Sequence, residues 1–436
     1  MNISSQGSKV KVTKQQSPRP VPVRESSSFT QSSTLQHSYK PLETDFGSEL
    51  DKKLSCRQNT ETPRFIEVEK GTLLYSAWFD DRQDQNYIQV LLLTSRRKNP
   101  PPLSCRFQSR SSPDALIASV ASSYYEINKR RKKRYGLFVA SCALPKEVDT
   151  TQNVPCHVDI SIKLTSEQPN SSVVLPVGNT KASHSATDSK RIKYGICVPP
   201  LHGHTLVGAV IEFLELSQLL GVSYFTFYDF EISENVRKVL NYYEGKGLVQ
   251  VFPWNLPPYI RDADVHNYGQ LLAIEDCLFR SMNHLDFVAL NDLDEYIVPL
   301  QYGDMSSMLR SIHKENHCGH CFQRAKFVVS GDKGQISWPV TQNFFNRAQK
   351  ADRTHSKCVV DPRRVFEHSV HLIMRPLEGK CLTNKVDWNA GRVFHYRECP
   401  PHCDKNLKED KAMEKYSEQL RERIRIVIPD IGDFNK

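Results

Sequence analysis

Phe287-Val288-Ala289-Leu290-Asn291-Asp292-Leu293-Asp294-Glu295 joins a four-residue apolar run to an Asp-x-Asp pair. A short, bounded apolar run reads as a strand buried on both faces. Two carboxylates two residues apart at its carboxyl end can both turn toward one hard cation. Alone the pair is a common pattern, because acidic residues at strand ends also cap the next helix or lie solvated. Its neighbours decide the matter.

Upstream, strand and helix alternate. Tyr194-Gly195-Ile196-Cys197-Val198 is a short apolar strand stopped by Pro199-Pro200. Thr205 is placed to cap a helix carrying Leu206, Val210, Phe213 and Leu214 at helical spacing, closed near Gly221. Residues 224–228 form a second strand. Ser233 can cap the next helix, with Val236, Val239, Leu240 and Tyr243 on one face and Gly245 at its end. Residues 249–252 make a third strand, and 268–282 a third helix with Leu271, Ile274, Leu278 and Phe279 inward. Repeated βα units of this size predict a mainly parallel sheet covered by helices, with ligands beyond the carboxyl ends of its strands. The acidic pair lies at such an end.

Haloacid-dehalogenase-type phosphatases also place Asp-x-Asp after a buried strand, near the start of the domain and with a small β-branched residue soon after. Here Glu295-Tyr296 follows, and about a hundred residues of βα pattern precede. That order favours a metal–diphosphate site over a phosphatase nucleophile.

The rest of the chain divides by composition. The first forty residues hold ten serines and almost no aromatics, too little apolar surface to offset ordering entropy, so residues 1–60 read as a disordered tail or stem. Residues 65–164 carry short strand signals such as Leu73-Leu74-Tyr75-Ser76-Ala77-Trp78 and Ile88-Gln89-Val90-Leu91-Leu92-Leu93, a small β-rich domain. Residues 165–190, rich in Ser, Thr, Asn and Gly, read as a linker, and 191–428 as the α/β domain.

The chain has 436 residues and a formal charge of +9, part of it in the unbroken basic run at residues 129–134. That run suits a solvated loop; nucleic-acid or anionic-membrane binding is the sharper alternative, but no interleaved aromatics accompany it. The twelve cysteines are scattered, which suits disulfides of an oxidising compartment better than a zinc module. In His317-Cys318-Gly319-His320-Cys321 the Cys-x-x-Cys can bind zinc, yet no second ligand pair stands at finger-like spacing, so structural thiols or a disulfide are the expectation. Neither a run of 18 apolar residues nor a signal-peptide core is present in the sequence.

Several segments together resemble glycosyltransferase family 92. They are Tyr194-Gly195-Ile196-Cys197-Val198-Pro199-Pro200-Leu201-His202-Gly203, Gly269-Gln270 with Asp276-Cys277-Leu278-Phe279-Arg280, Asp292-Leu293-Asp294-Glu295-Tyr296-Ile297-Val298-Pro299, and Phe394-His395-Tyr396-Arg397. Tyr75-Ser76-Ala77-Trp78-Phe79-Asp80-Asp81-Arg82 is similar to an early family segment, so the likeness runs from about residue 65 to 425.

The resemblance implies an α/β, GT-A (Rossmann-like) inverting glycosyltransferase of the Golgi lumen, membrane-attached in the family. It also implies transfer of galactose from UDP-galactose to fucose or galactose of glycoprotein N-glycans. Asp292 and Asp294 become metal and diphosphate ligands, and His395 the third metal ligand. Two carboxylates and an imidazole suit Mn²⁺ better than a zinc cage. Arg397 and Lys385, the cations nearest His395 in sequence, are candidates to steady the diphosphate of the UDP-sugar. An inverting displacement needs a base for the acceptor hydroxyl, and Asp332 and Glu367 qualify by position. The family usually shows Ser-Gly-His where this chain reads Ser330-Gly331-Asp332. Asp276 and Arg280, one helical turn apart, form a structural ion pair or touch the nucleotide. The competing functions are a catalytically decayed glycan-binding or scaffold protein, and a basic cytosolic or nuclear protein acting through residues 129–134.

Overall fold

The structure, a computed structural model, describes residues 62–96, 100–108, 116–128, 133–146, 148, 154–162, 172–181, 191–330, 337–377, 381–398 and 406–432. The expected tail, Asp332 and most of the basic run fall outside these residues.

Among the described residues the first sheet has nine strands: β1 (Ile66–Glu69), β2 (Thr72–Asp80), β3 (Tyr87–Ser95), β4 (Leu103–Gln108), β5 (Leu116–Ala121), β6 (Ser123–Ile127), β7 (Tyr135–Ala143), β8 (His157–Ile162) and β9 (Ser172–Gly178). Their order is β5-β4-β8-β9-β2-β3-β7-β6, with β1 on β2. β2 and β3 are buried along almost their whole lengths. β9 corrects the expected linker over 165–190: Val173, Val174, Leu175 and Val177 are a β-branched and aliphatic run, and it pairs with both β8 and β2.

The second sheet begins with β10 (Tyr194–Cys197), β11 (Tyr224–Asp229), β12 (Val249–Pro253) and β13 (Phe287–Leu290). These run parallel in the order β12-β11-β10-β13. Helices α1 (Val207–Leu219), α2 (Glu234–Gly245) and α3 (Gln270–Ser281) make the crossovers. Beyond β13 the chain forms β14 (Glu295–Pro299), α4 (Met305–Ile312), β15 (His317–Val329), β16 (Asn346–Ala348), β17 (Asp352–Val360), β18 (Val365–His368), β19 (Ile373–Pro376), β20 (Leu382–Lys385), β21 (Gly391–Glu398), β22 (Leu407–Glu409) and α5 (Ser417–Ile431). β17 adds antiparallel to β13 and β15 to β17, while β21 bridges β15 and β14. Four parallel strands in 3-2-1-4 order, extended by an antiparallel half, are the α/β, GT-A (Rossmann-like) arrangement the sequence led us to expect.

Local chemistry explains most element ends. Ser233 caps α2 by accepting the Val236 N–H at 3.3 Å, and Gly221 closes the turn after α1 at φ +105°, a conformation costly for residues with a Cβ. Thr205 is not the cap of α1. The helix starts at Val207, and Leu206, expected inward, is the uncapped N-cap and is 53% exposed.

The two sheets share a core. Leu73, Tyr75, Leu91 and Leu93 of the first sheet pack with Trp254 and with Leu271, Ile274 and Leu278 of α3. Phe65, Tyr75 and Trp254 meet pairwise with ring centroids 4.6–4.9 Å apart. Four disulfides run between described cysteines: Cys105–Cys142, Cys197–Cys277, Cys318–Cys381 and Cys321–Cys358. Cys318 and Cys321 are thus structural partners of distant cysteines. No helix among the described residues is long and apolar enough to cross a membrane.

Candidate active site

β13 ends at Leu290, and the chain turns sharply rather than entering a helix. The Glu295 N–H donates to the Asp292 carbonyl at 3.1 Å and starts β14. The turn leaves the Asp292 and Asp294 side chains 43% and 44% exposed on the open side of the sheet. β21 then comes back alongside β14 with Glu295 opposite His395, and the Tyr396 N–H donates to the Asp294 carbonyl at 2.9 Å. That register sets a histidine a hundred residues downstream beside the acidic motif.

The His395 Nε2 lies 3.1 Å from Asp294 Oδ2. On the other side of the ring, Nδ1 meets Arg324 Nη1 at 3.1 Å and Glu295 Oε1 at 3.5 Å. Arg324, on β15, is itself paired with Asp352. Lys357, on β17, reaches in from below, with its ammonium 3.1 Å from Asp292 Oδ2 and 2.6 Å from Glu295 Oε2. Its side chain is 1% exposed and that of Glu295 2%.

These charges set one another. Desolvation by the surrounding protein raises the Asp292 carboxyl, but the Lys357 ammonium outweighs it and holds the group below its ordinary value. Glu295 is raised, since its deeper burial is not fully offset by the same ammonium. Burial would lower Lys357, yet the two carboxylates lift it above the usual lysine value, so it stays charged.

Asp294 and His395 offer a divalent cation two adjacent ligand atoms, with Asp292 beside them turned to Lys357. Two ligand atoms bound side by side at roughly 2.1–2.2 Å around an octahedral ion stand about 3 Å apart, the Asp294–His395 separation found here. As it stands Nδ1 accepts from the Arg324 guanidinium and Nε2 donates to Asp294; binding a metal through Nε2 would require the ring to exchange the Arg324 contact for Glu295 Oε1, 3.5 Å from Nδ1. Carboxylate-rich ligation with one imidazole suits a harder ion such as Mn²⁺.

The other candidates are placed differently. Arg397 is exposed two residues beyond His395 on β21, hence on the same face of that strand. Lys385 is exposed at the end of β20, opposite Cys321, and makes no described contact with the acidic motif. Glu367 is buried on β18, where it accepts from the Tyr125 hydroxyl and, at 2.8 Å, from the Asn128 N–H. The structure therefore brings His395 onto Asp294, turns the neighbouring Asp292 to Lys357, and leaves Glu367 committed to the first sheet. Asp276 is fully buried on α3 and is structural: it accepts from Ser76 Oγ (2.6 Å), Trp78 Nε1 (3.1 Å), Tyr228 OH (2.7 Å) and Arg280 Nε (2.5 Å).

Lys357 and Arg324 were not among the sequence candidates. Each sits in a strand with mixed polarity, and only the cross-sheet register turns it toward the motif. The pairing of Asp292 with a following Glu295 was the sole hint that a buried cation was needed.

Comparison with known proteins bears on this arrangement. The chain is 25% identical over 374 residues, 84% of its length and 82% of the relative's, to "Beta-1,4-galactosyltransferase galt-1" of Caenorhabditis elegans. Among solved structures it resembles glucosyl-3-phosphoglycerate synthase from Mycobacterium tuberculosis in complex with Mn²⁺, UDP-glucose and phosphoglyceric acid (TM-score 0.26, 11% identity, 58% of this chain and 88% of that one). It also resembles S. aureus TarS 1-349 (TM-score 0.22, 11% identity, 54% of this chain and 64% of that one). Two other matched chains are spanned over 43% and 52% of their lengths, less than two thirds. Structural likeness this slight says nothing of the site. Residues 192–428 match glycosyltransferase family 92, and the chain belongs to that family.

Proposed function

We propose that this glycosyltransferase is a metal-dependent, inverting enzyme that moves galactose from UDP-galactose to a glycan, the acceptor being fucose or galactose of glycoprotein N-glycans in the Golgi lumen. The observation that carries the reading is the convergence of His395 on Asp294 at the carboxyl end of β13. The sugar follows the relative, named a galactosyltransferase; the paired cysteines suit an oxidising compartment.

In this reading Asp292, Asp294 and His395 hold a divalent cation, which neutralises the charge that builds on a departing diphosphate. Arg324 and Glu295 fix the plane of the His395 ring from behind. Lys357 keeps Asp292 ionised and prevents the three clustered carboxylates from repelling the turn open. Arg397, on the His395 face of β21, and Lys385 are the cations proposed for the diphosphate. Among the described residues no carboxylate is assigned as the base for the acceptor hydroxyl; Asp332 remains the proposal by position.

Hydrolysis and transfer measured across UDP-, GDP- and CMP-sugars with Mn²⁺ test this. UDP-galactose should be preferred. Asp294→Asn, which keeps the shape and removes a formal charge, should lower turnover at least about a hundredfold with the fold intact. His395→Ala should weaken Mn²⁺ and donor binding together, because metal and diphosphate bind as one unit. Near-normal turnover by folded Asp294→Asn protein would sink the metal-site assignment, and a preference for another nucleotide sugar would overturn the donor.

A further inference from the structure

The Cys-x-x-Cys segment offers a metal its histidines rather than its cysteines. His317 and His320 on β15, and His313 just after α4, each present a ring nitrogen such that all three lie within 4.8 Å of one another. Cys318 and Cys321 take no part, since disulfides bind them to Cys381 and Cys358. His320 is 0% exposed and His317 9%.

The His313 Nδ1 and His320 Nε2 are 3.2 Å apart. Three tetrahedral ligands at zinc–nitrogen bonds of about 2.0–2.1 Å stand roughly 3.3–3.4 Å from one another. One pair already has that spacing, and small side-chain rotations bring in the third. Burial pushes the His320 pKa down to about 3 and lowers those of His313 and His317, so the rings keep the lone pairs a metal needs.

The surroundings supply a supporting shell. The Asn384 Nδ2 lies 3.0 Å from His320 Nδ1, and a flip of the amide exchanges it for the oxygen. With its oxygen turned to that nitrogen it accepts the Nδ1–H and frees Nε2 for coordination. The Lys314 N–H donates to His317 Nδ1 at 3.3 Å, a long bond and the one that loading through that nitrogen gives up. Lys314 and Arg364, whose guanidinium donates to the Glu315 and His317 carbonyls, are nearby cations that oppose a dication. A zinc-bound water that ionises near neutral pH offsets part of that charge.

We propose that His313, His317 and His320 form a zinc site, with water as fourth ligand, that fastens the end of α4 to β15. It is separate from the acidic site. The Phe287 ring, at the amino end of β13, packs on His313 at 5.0 Å between centroids, whereas Asp292 and Asp294 follow the carboxyl end. The chemistry separates the ions as well: three neutral imidazoles select a borderline-soft ion, two carboxylates a hard one.

The test uses the full chain carrying Asp294→Asn, stripped with EDTA and titrated with Zn²⁺ and with Co²⁺. One equivalent of each should bind, Co²⁺ with the intense visible absorption of tetrahedral coordination, and Zn²⁺ should raise Tm. His313→Gln, at the most exposed of the three, should abolish the tetrahedral spectrum and the Tm shift. Asn384→Leu keeps all three ligands and should weaken Zn²⁺ binding about ten- to a hundredfold, which covers the case in which His313→Gln does not fold. A natively folded Asp294→Asn protein that binds neither ion overturns the proposal. So does a Co²⁺ spectrum unchanged by both His313→Gln and Asn384→Leu.

Discussion

Lys357 buries an ammonium against two carboxylates, and what that pair is worth depends on which partner is removed. Lys357→Met leaves Glu295, 2% exposed, without its cation and should cost about 3–5 kcal/mol, the usual penalty for breaking a buried pair from one side. Lys357→Met combined with Glu295→Leu removes both charges and should recover much of that loss, so the two effects are far from additive in urea unfolding. Additive costs would mean that the residues do not share one network. A second prediction concerns a buried histidine that carries no charge. Burial pushes the His368 pKa down to about 3, against roughly 6.5 in the unfolded chain. Between those values the unfolded state binds the extra proton, so the contribution is whole above pH ~6.5 and is lost as the pH falls toward 3. Relative to His368→Leu, the wild-type chain should lose about 1.6 kcal/mol of unfolding free energy between pH 6.5 and 5, the slope approaching 1.36 kcal/mol per unit at the lower end. A gap between the two that does not change with pH would show that His368 takes up its proton in the folded state. At this scale the sequence singled out Asp292 and Asp294 at a strand end, and the family resemblance added His395, as the proposed ligands. It hid Lys357 and Arg324, because a lysine or arginine inside a half-polar strand looks the same whether it faces water or a buried carboxylate.

Helix α3 shows how an element can be legible in place and obscure in purpose. Its apolar spacing announced Leu271, Ile274, Leu278 and Phe279 as inward, and they are buried. Asp276 and Arg280 announced an ion pair one turn apart, and it is there. What spacing could not show is that the same carboxylate also accepts from Ser76 and Trp78 of β2, two hundred residues earlier in the chain. The Arg280 guanidinium is sandwiched, 3.6 Å from the Phe252 ring centroid and 4.8 Å from that of Trp78. Asp276→Asn should therefore cost about 3–5 kcal/mol, because it strips the counter-charge from a nearly buried arginine, and urea unfolding measures it directly. A loss under about 1 kcal/mol, the range of exposed pairs, would contradict the burial argument. The same contrast explains β9. Composition over residues 165–190 reads as linker, but a stretch of seven residues within it pairs on both sides, and window averages of polar residues mask so short a strand.

The two sheets are joined too closely to be independent bodies. Residues 62–65 and β2 deliver Phe65, Tyr75 and Trp78 onto Trp254, Tyr228 and α3, and each large aromatic so buried removes about 150–250 Å² from water. Polar ties cross the same seam. The Tyr75 hydroxyl donates to the Pro253 carbonyl at 3.2 Å, Arg82 donates to the Val365 carbonyl at 2.8 Å, and Arg363 pairs with Asp81 at 2.7 Å. A chain starting at residue 191 would expose Trp254 and the outer face of α3, with Asp276 and Arg280 opened to solvent and the carboxylate's four partners cut to two, the Tyr228 hydroxyl and Arg280. At roughly 25 cal/mol per Å², several hundred Å² of newly exposed apolar surface is worth on the order of 5–10 kcal/mol, comparable to the entire stability of an ordinary domain. The whole protein should accordingly unfold in one calorimetric transition, and a chain of residues 191–436 should be insoluble or lack a cooperative transition. Two resolved transitions in the full chain, the second reproduced by residues 191–436 alone, would show that the catalytic half folds without the first sheet. The prediction bears on activity too: β10 and β13, which present the acidic motif, lie directly under α3, so loosening the seam through Tyr75→Ala should lower turnover without any change at Asp292, Asp294 or His395.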